Sequence, residues 1–301
     1  MNVLNKFVVA SLPLVPKSLV WVFAQRYIAG KNLSDVTRVV KNLNQQKAMA
    51  TIDVLGEFIT QREESYPFRD ECIRVVKMID ETKIDSNLSL KLTQYGLKID
   101  KELCEENLRA ILSEAAKVNC FVRIDMEDHT CTDDTLQIYR NVRKDFPNVG
   151  VVIQAYMRRS ENDIRQLISE KANIRLCKGI YKEPATVAYQ ERKEVQDNYI
   201  KLLEMLLSTK TYVGIATHDY VLIDAAHSLI KKYNLQKNEY EFQMLLGVRE
   251  DLRNKILQQG ERIRIYVPYG EHWYHYSTRR FKENPKIAGY VFKAIFSRNS
   301  K

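Results

Sequence analysis

Phe121-Val-Arg-Ile-Asp125-Met126 and Val151-Val-Ile-Gln154-Ala-Tyr156 are short apolar runs rich in β-branched residues, and Thr135 to Asp145 between them has helical period. Strand, helix, strand at that spacing reads as a parallel βαβ unit, because adjacent parallel strands need a crossover of at least a dozen residues. The same beat extends outward in both directions. Runs of this kind recur at Ala50 to Leu55, Asn87 to Leu92, Asn173 to Lys178, Tyr212 to His218, Tyr240 to Leu246 and Ile263 to Tyr269, and further helical periods fall at Glu102 to Lys117 and Thr186 to Leu207. Eight strands alternating with helices predict a closed (β/α)8 barrel of the TIM type, which leaves no sheet edge exposed. Glycines at or just after several runs (Gly56, Gly179, Gly247, Gly270) mark sharp turns there.

The chain has 301 residues, no linker-like or low-complexity segment and an ordinary globular composition. It divides into an N-terminal helical segment (residues 1–45) and one barrel (residues 46–301). The formal charge of +9 comes from 47 basic and 38 acidic residues that are interspersed without a dense basic block, which argues against a nucleic-acid partner. Cys72, Cys104, Cys120, Cys131 and Cys177 are odd in number and never form CxxC, so neither a disulfide framework nor a zinc knuckle is expected. His272 and His275 stand alone at i,i+3, and no metal is expected. Phe7 to Phe23 is apolar, but Pro13, Pro16 and Lys17 interrupt it below spanning length. It reads as a helical lead-in, and Val20 to Phe23 beside Arg26 and Lys31 suggest a peripheral membrane contact.

Barrel enzymes place their chemistry at the carboxyl ends of the strands, so polar residues there are candidates. Lys91 closes the second run, Asp125 the third, Gln154 lies in the fourth, Arg175 and Lys178 in the fifth, and Thr217 with His218 in the sixth; Gln243 interrupts the seventh. Any one of them has a structural alternative as a satisfied interior group or a solvated strand end. Together they predict a positive mouth with Asp125 as its lone strand-end carboxylate. Near the carboxyl end, Tyr276, Arg279, Arg280 and Glu283 fall at i, i+3, i+4 and i+7 on one helical face, with Pro285 limiting the helix. This could be a solvated surface stripe, but two adjacent guanidinium groups repel and suit bidentate binding of a small carboxylate or phosphate. The last barrel helix is therefore expected to contribute to the site.

In this order the motifs resemble those of the proline dehydrogenases. The resemblance runs from Thr51 to Pro285 through Leu90-Lys91-Leu92, Arg123-Ile-Asp125-Met-Glu127, Ile153-Gln154-Ala155-Tyr156, Arg175-Leu-Cys-Lys178-Gly179-Ile-Tyr181, Ala216-Thr217-His218, Glu241-Phe242-Gln243 and Tyr276-x-x-Arg279-Arg280-x-x-Glu283-Asn284. Tyr269-Gly270-Glu271-His272-Trp273, with a short connection to Tyr276, has the look of the small monofunctional bacterial members. The resemblance implies FAD, although no GxGxxG or GxxxxGK[ST] is present. It places Gln154, Arg175 and Lys178 at the flavin, and Thr217, His218 and Glu283 toward its adenosine diphosphate half. It also assigns Arg279, Arg280 and Lys91 to the proline carboxylate, Asp125 to the pocket near Lys91, and Tyr181, Leu245, Tyr266 and Tyr276 to the ring.

Lys91, Asp125, Arg279 and Arg280 are thus the expected catalytic set of an enzyme that oxidises L-proline to Δ1-pyrroline-5-carboxylate, the first step of proline catabolism. The electrons would go to a membrane quinone and the product to a separate pyrroline-5-carboxylate dehydrogenase, in the cytoplasm or at the inner face of the cell membrane. Two bases are open for the ring nitrogen: Asp125, weakened by Lys91 beside it, or water. The competing readings are a barrel flavoenzyme for another cyclic amino acid such as hydroxyproline, and a basic module binding membrane or nucleic acid.

Overall fold

The alternating periods close as the pattern requires. The computed structural model describes residues 17–56 and 59–283. Among the described residues, eight parallel strands form a closed barrel in sequential order: β1 (Met49–Val54), β2 (Ser86–Leu90), β3 (Val122–Ile124), β4 (Val149–Gln154), β5 (Ile174–Cys177), β6 (Val213–Ala216), β7 (Tyr240–Leu245) and β8 (Ile263–Tyr269). Closure is made by β8 against β1, in register from Met49 opposite Arg264 to Val54 opposite Tyr269. Helices α1 (Lys17–Ala24) and α2 (Leu33–Gln45) precede the barrel. Around it lie α3 (Ser65–Thr82), α4 (Lys101–Lys117), α5 (Thr132–Arg143), α6 (Ser160–Ser169), α7 (Arg192–Ser208), α8 (Tyr220–Lys232), α9 (Glu250–Gln258) and α10 (Trp273–Glu283).

Helix α4 shows how local sequence makes these elements. The Asp100 side chain accepts from the Glu102 and Leu103 amides at its start, and Leu103, Cys104, Asn107, Leu108, Ile111, Leu112 and Ala115 form a buried stripe at helical spacing. Leu108, Ile111 and Leu112 are fully buried, so truncating any of them to alanine would cost about 2–5 kcal/mol.

Several expected strand ends are shorter in the structure. Leu55, Lys91, Leu92, Asp125, Met126, Ala155, Tyr156, Lys178, Thr217 and His218 lie just beyond the ladders, where the backbone leaves the sheet to build loops, for instance the tight 3-10 turn Leu92–Tyr95. The helix expected from Thr186 begins instead at Arg192. Residues before it are tied to the loop that follows β4, through Arg158 N–H to Val187 O (3.0 Å) and Tyr189 N–H to Tyr156 O (2.8 Å), and a reciprocal capping box of Glu191 with Glu194 opens the helix.

The N-terminal lead-in is tied to the last helix. Val20 and Ala24 of α1 are buried with Leu55, Trp273 and Tyr276, and the Trp21 and Trp273 rings meet edge-on at 4.7 Å. Lys17 stands over the Tyr274 ring, and Lys31 pairs with Glu271 at 3.5 Å. This corrects the reading of Val20 to Phe23 as an outward patch: Val20 is fully buried and Trp21 is spent on Trp273, whereas Val22 is 62% exposed. Among the described residues no helix is long and apolar enough to cross a membrane.

Candidate active site

Strand order brings the polar strand ends together at one mouth. Lys91, one residue beyond β2, donates to Asp53 Oδ1 at the end of β1 (2.8 Å) and to the Tyr266 hydroxyl on β8 (3.1 Å), and lies 3.6 Å from Asp125 Oδ2. Tyr266 donates to Asp125 Oδ2 (2.7 Å), while Asp125 Oδ1 accepts from Ser89 Oγ (2.8 Å) and Arg175 Nη1 (2.6 Å). Arg175 Nε donates to Gln243 Oε1 (2.5 Å), Gln243 Nε2 to Glu241 Oε1 (2.6 Å), and Glu241 pairs with Arg264 (2.8 Å). A continuous charged column therefore runs from the mouth into the barrel interior. Such a column is stable only because nearly every member has a partner, since an isolated buried charge costs several kcal/mol.

Asp53 corrects the expectation of Asp125 as a lone strand-end carboxylate in a strongly positive mouth. Two carboxylates, Asp53 and Asp125, face two cations, Lys91 and Arg175, so the inner quartet carries no net charge. The signal for Asp53 was available: it is a polar residue in the apolar run Met49-Ala-Thr-Ile-Asp-Val54, the same cue that singled out Asp125. The two acids differ in environment. Burial, incompletely offset by Lys91 and reinforced by the Asp125 charge, raises the Asp53 carboxyl above its ordinary range. Burial also opposes ionisation of Asp125, but Arg175, then Lys91 and hydrogen bonds from Tyr266 and Ser89 outweigh it and hold that carboxyl below the usual range. Burial disfavours the Lys91 ammonium, yet Asp53 and Asp125 overcome this and raise it, so it stays charged.

These groups open onto a cavity of about 440 Å³, within the range of small-molecule sites. Of the expected substrate residues, Lys91, Asp125, Tyr181, Leu245, Tyr266, Tyr276 and Arg280 line it. Arg280 is buried at its rim, its guanidinium 5.3 Å from the centre of the Tyr276 ring. The side chains of Arg279 and Glu283, and Pro285, lie outside the described residues. Of the expected cofactor residues, Gln154, Arg175, Lys178 and His218 line the same cavity. Thr217 does not line this cavity, and its Oγ1 accepts from the Asp219 amide (3.1 Å).

Local backbone chemistry sets two of these side chains. Gly179 has φ +105°, and a Cβ there would sit 2.2 Å from the Tyr156 ring, so only glycine lets the chain turn to carry Ile180 and Tyr181 to the cavity. His218 Nε2 accepts from the Leu245 amide (2.9 Å), which places the proton of the neutral ring on Nδ1. Burial, then the charges of Arg280, Lys178 and Arg249, push the His218 pKa down to about 4, so it is a neutral donor at ordinary pH.

The donor set suits a large anionic heteroaromatic cofactor. Arg175 Nη2 is a buried donor without a partner, and an unmet buried donor of this kind costs about 1–3 kcal/mol until an acceptor arrives. Lys178, held at 3.4 Å from Asp219, also lines a neighbouring cavity of about 490 Å³ and can serve an acceptor spanning the two.

A family model described as proline dehydrogenase matches residues 36–292. The chain is 38% identical over 275 residues to proline dehydrogenase 1 of Bacillus subtilis subsp. natto, covering 91% of each chain. It is 35% identical over 280 residues to the proline dehydrogenase of Deinococcus radiodurans, covering 91% of this chain and 90% of the other. Among solved structures, it resembles proline utilization A from Bdellovibrio bacteriovorus, inactivated by N-propargylglycine, with a TM-score of 0.82 and 24% identity over 88% of this chain. That match spans 33% of the larger protein and speaks for a common fold. Motifs quoted from the sequence, the barrel that gathers them into one cavity and a family match over most of the length agree, and the chain belongs to the proline dehydrogenase family.

Proposed function

We propose that this protein oxidises L-proline to Δ1-pyrroline-5-carboxylate with a bound FAD and passes the electrons to a membrane quinone. The observation that carries the reading is that Tyr276 and Arg280 of α10 share one cavity with the Lys91–Asp125–Tyr266 network and with Arg175, whose Nη2 lacks an acceptor. Family membership implies a flavin, which supplies the acceptor for the hydride leaving the ring carbon. Gln154, Arg175, Lys178 and His218 would hold it, with Thr217 and Glu283 assigned to its adenosine diphosphate half.

Substrate binding then falls to α10 and the strand ends. Arg279 and Arg280 take the carboxylate through charge-assisted bonds, and Tyr181, Leu245, Tyr266 and Tyr276 enclose the ring, which fixes the ring carbon that is oxidised. Lys91 has a narrower part than a free third cation would have, because Asp53 and Tyr266 already occupy it. Conversion of the C–N bond to C=N removes a hydride from carbon and a proton from nitrogen. Asp125, held ionised by Arg175 and Lys91, is a weak acceptor for that proton, and water takes it. Steady-state turnover with a soluble quinone analogue tests the proposal: Δ1-pyrroline-5-carboxylate should form in step with quinone reduction. Turnover supported by NAD and not by the quinone would overturn the assigned acceptor. The product would pass to a separate dehydrogenase, and a site at the inner face of the cell membrane suits the acceptor.

Because α10 is anchored by α1, the clamp depends on the lead-in helix. Trp21→Ala removes an aromatic pair worth about 0.5–1.5 kcal/mol beyond its buried area. It is expected to raise the KM for proline severalfold while leaving the barrel's far-UV spectrum unchanged; an unaltered KM would detach α1 from substrate binding.

A further inference from the structure

Asp53 is fully buried, does not line the cavity, and leaves its Oδ2 without a hydrogen-bond partner. Its Oδ1 is 2.8 Å from Lys91 Nζ. A buried acid in that condition is a poor device for stability, since an apolar side chain of similar volume is often neutral or better. Its effect must therefore be sought in what it does to Lys91, the cavity-lining group that it touches.

With Asp53 ionised, the two cations Lys91 and Arg175 are balanced by the two carboxylates, which leaves Arg280 to attract the carboxylate. Without it the inner group would carry one net positive charge, attracting any small carboxylate and repelling a cationic ring nitrogen. We infer that Asp53 is a positioning and specificity residue: by holding Lys91 beside Tyr266 and neutralising it, Asp53 makes the cavity select an amino acid over a plain carboxylic acid of the same shape. This rests on the reading of the cavity as a proline site, and deepens it.

The probe is cyclopentanecarboxylate, which keeps the ring and the carboxylate and lacks the nitrogen. In Asp53→Asn its dissociation constant, measured by equilibrium dialysis against the purified flavoprotein, should fall about tenfold, the scale of one added charge several ångströms away in a partly screened site. The kcat/KM for proline should fall over the same substitution. A merely structural role would weaken both ligands, so unchanged or weaker analogue binding overturns the inference. The double variant Asp53→Asn/Lys91→Met decides it independently, also where Asp53→Asn alone does not fold, because both charges leave together and the inner group stays balanced. Analogue affinity near that of the wild type in the double variant supports action through Lys91, whereas about tenfold tighter binding there overturns it. Failure of the wild type to turn over proline would remove the proline site and both readings with it; normal proline turnover with no response of analogue binding at Asp53 would remove this one alone.

Discussion

Arg280→Met is expected to raise the KM for proline by about ten- to a hundredfold, because it deletes charge-assisted bonds worth about 1.5–3 kcal/mol. Flavin content should stay near that of the wild type, since Gln154, Arg175 and Lys178 approach the cavity from strands rather than from α10. The same substitution removes one of the charges that depress His218, so the histidine should titrate above its wild-type value of about 4. Arg279→Met should share the effect on KM. Either variant with wild-type proline kinetics would leave the clamp, and steady-state kinetics with flavin absorbance on the same samples separates the outcomes.

Asp125→Asn should be costly in a different way. The carboxylate accepts from Arg175, Tyr266 and Ser89, and Arg175 is buried, so its loss strips a buried cation of its counter-ion at about 3–5 kcal/mol. Thermal unfolding should register this as a marked drop in midpoint. The pH dependence has a definite sign. A carboxyl whose folded pKa is depressed contributes stability that is present above its unfolded pKa and is lost as pH falls through the folded one. The wild type should lose this contribution in acid, and the variant should lack that limb. The reductive half-reaction, in contrast, should keep its ionisation in Asp125→Asn if, as proposed, water takes the nitrogen proton. Disappearance of that ionisation would make Asp125 the base.

The barrel could be read from the sequence because parallel strands buried on both faces are continuous apolar runs, and the helical spacers between them have a different period. The site residues followed from one rule, polar groups at strand ends. Lys91, Asp125, Gln154, Arg175, Lys178 and His218 met it and line one cavity, as do Tyr276 and Arg280 from the periodic face of α10. Asp53, inside the β1 run, meets the same rule and pairs with Lys91, which makes the mouth less positive and Lys91 less free than the other strand ends alone suggest. Thr217 does not line this cavity and its hydroxyl accepts from a loop amide, a local bond that spacing alone does not encode. Helix α7 starts later than its period suggests because the segment before it is held by hydrogen bonds to the loop after β4, which are set by tertiary structure. Packing of Trp21 on Trp273 joins the two ends of the described chain, and no local pattern reports a contact at that separation.

The most direct test of the central claim is anaerobic addition of L-proline to the purified protein, followed by its visible absorbance. A yellow flavoprotein that bleaches in proportion to added proline, and regains its colour with a quinone analogue, is the predicted result. A flavoprotein whose colour proline leaves unchanged, or a colourless protein that will not take up FAD, would contradict it.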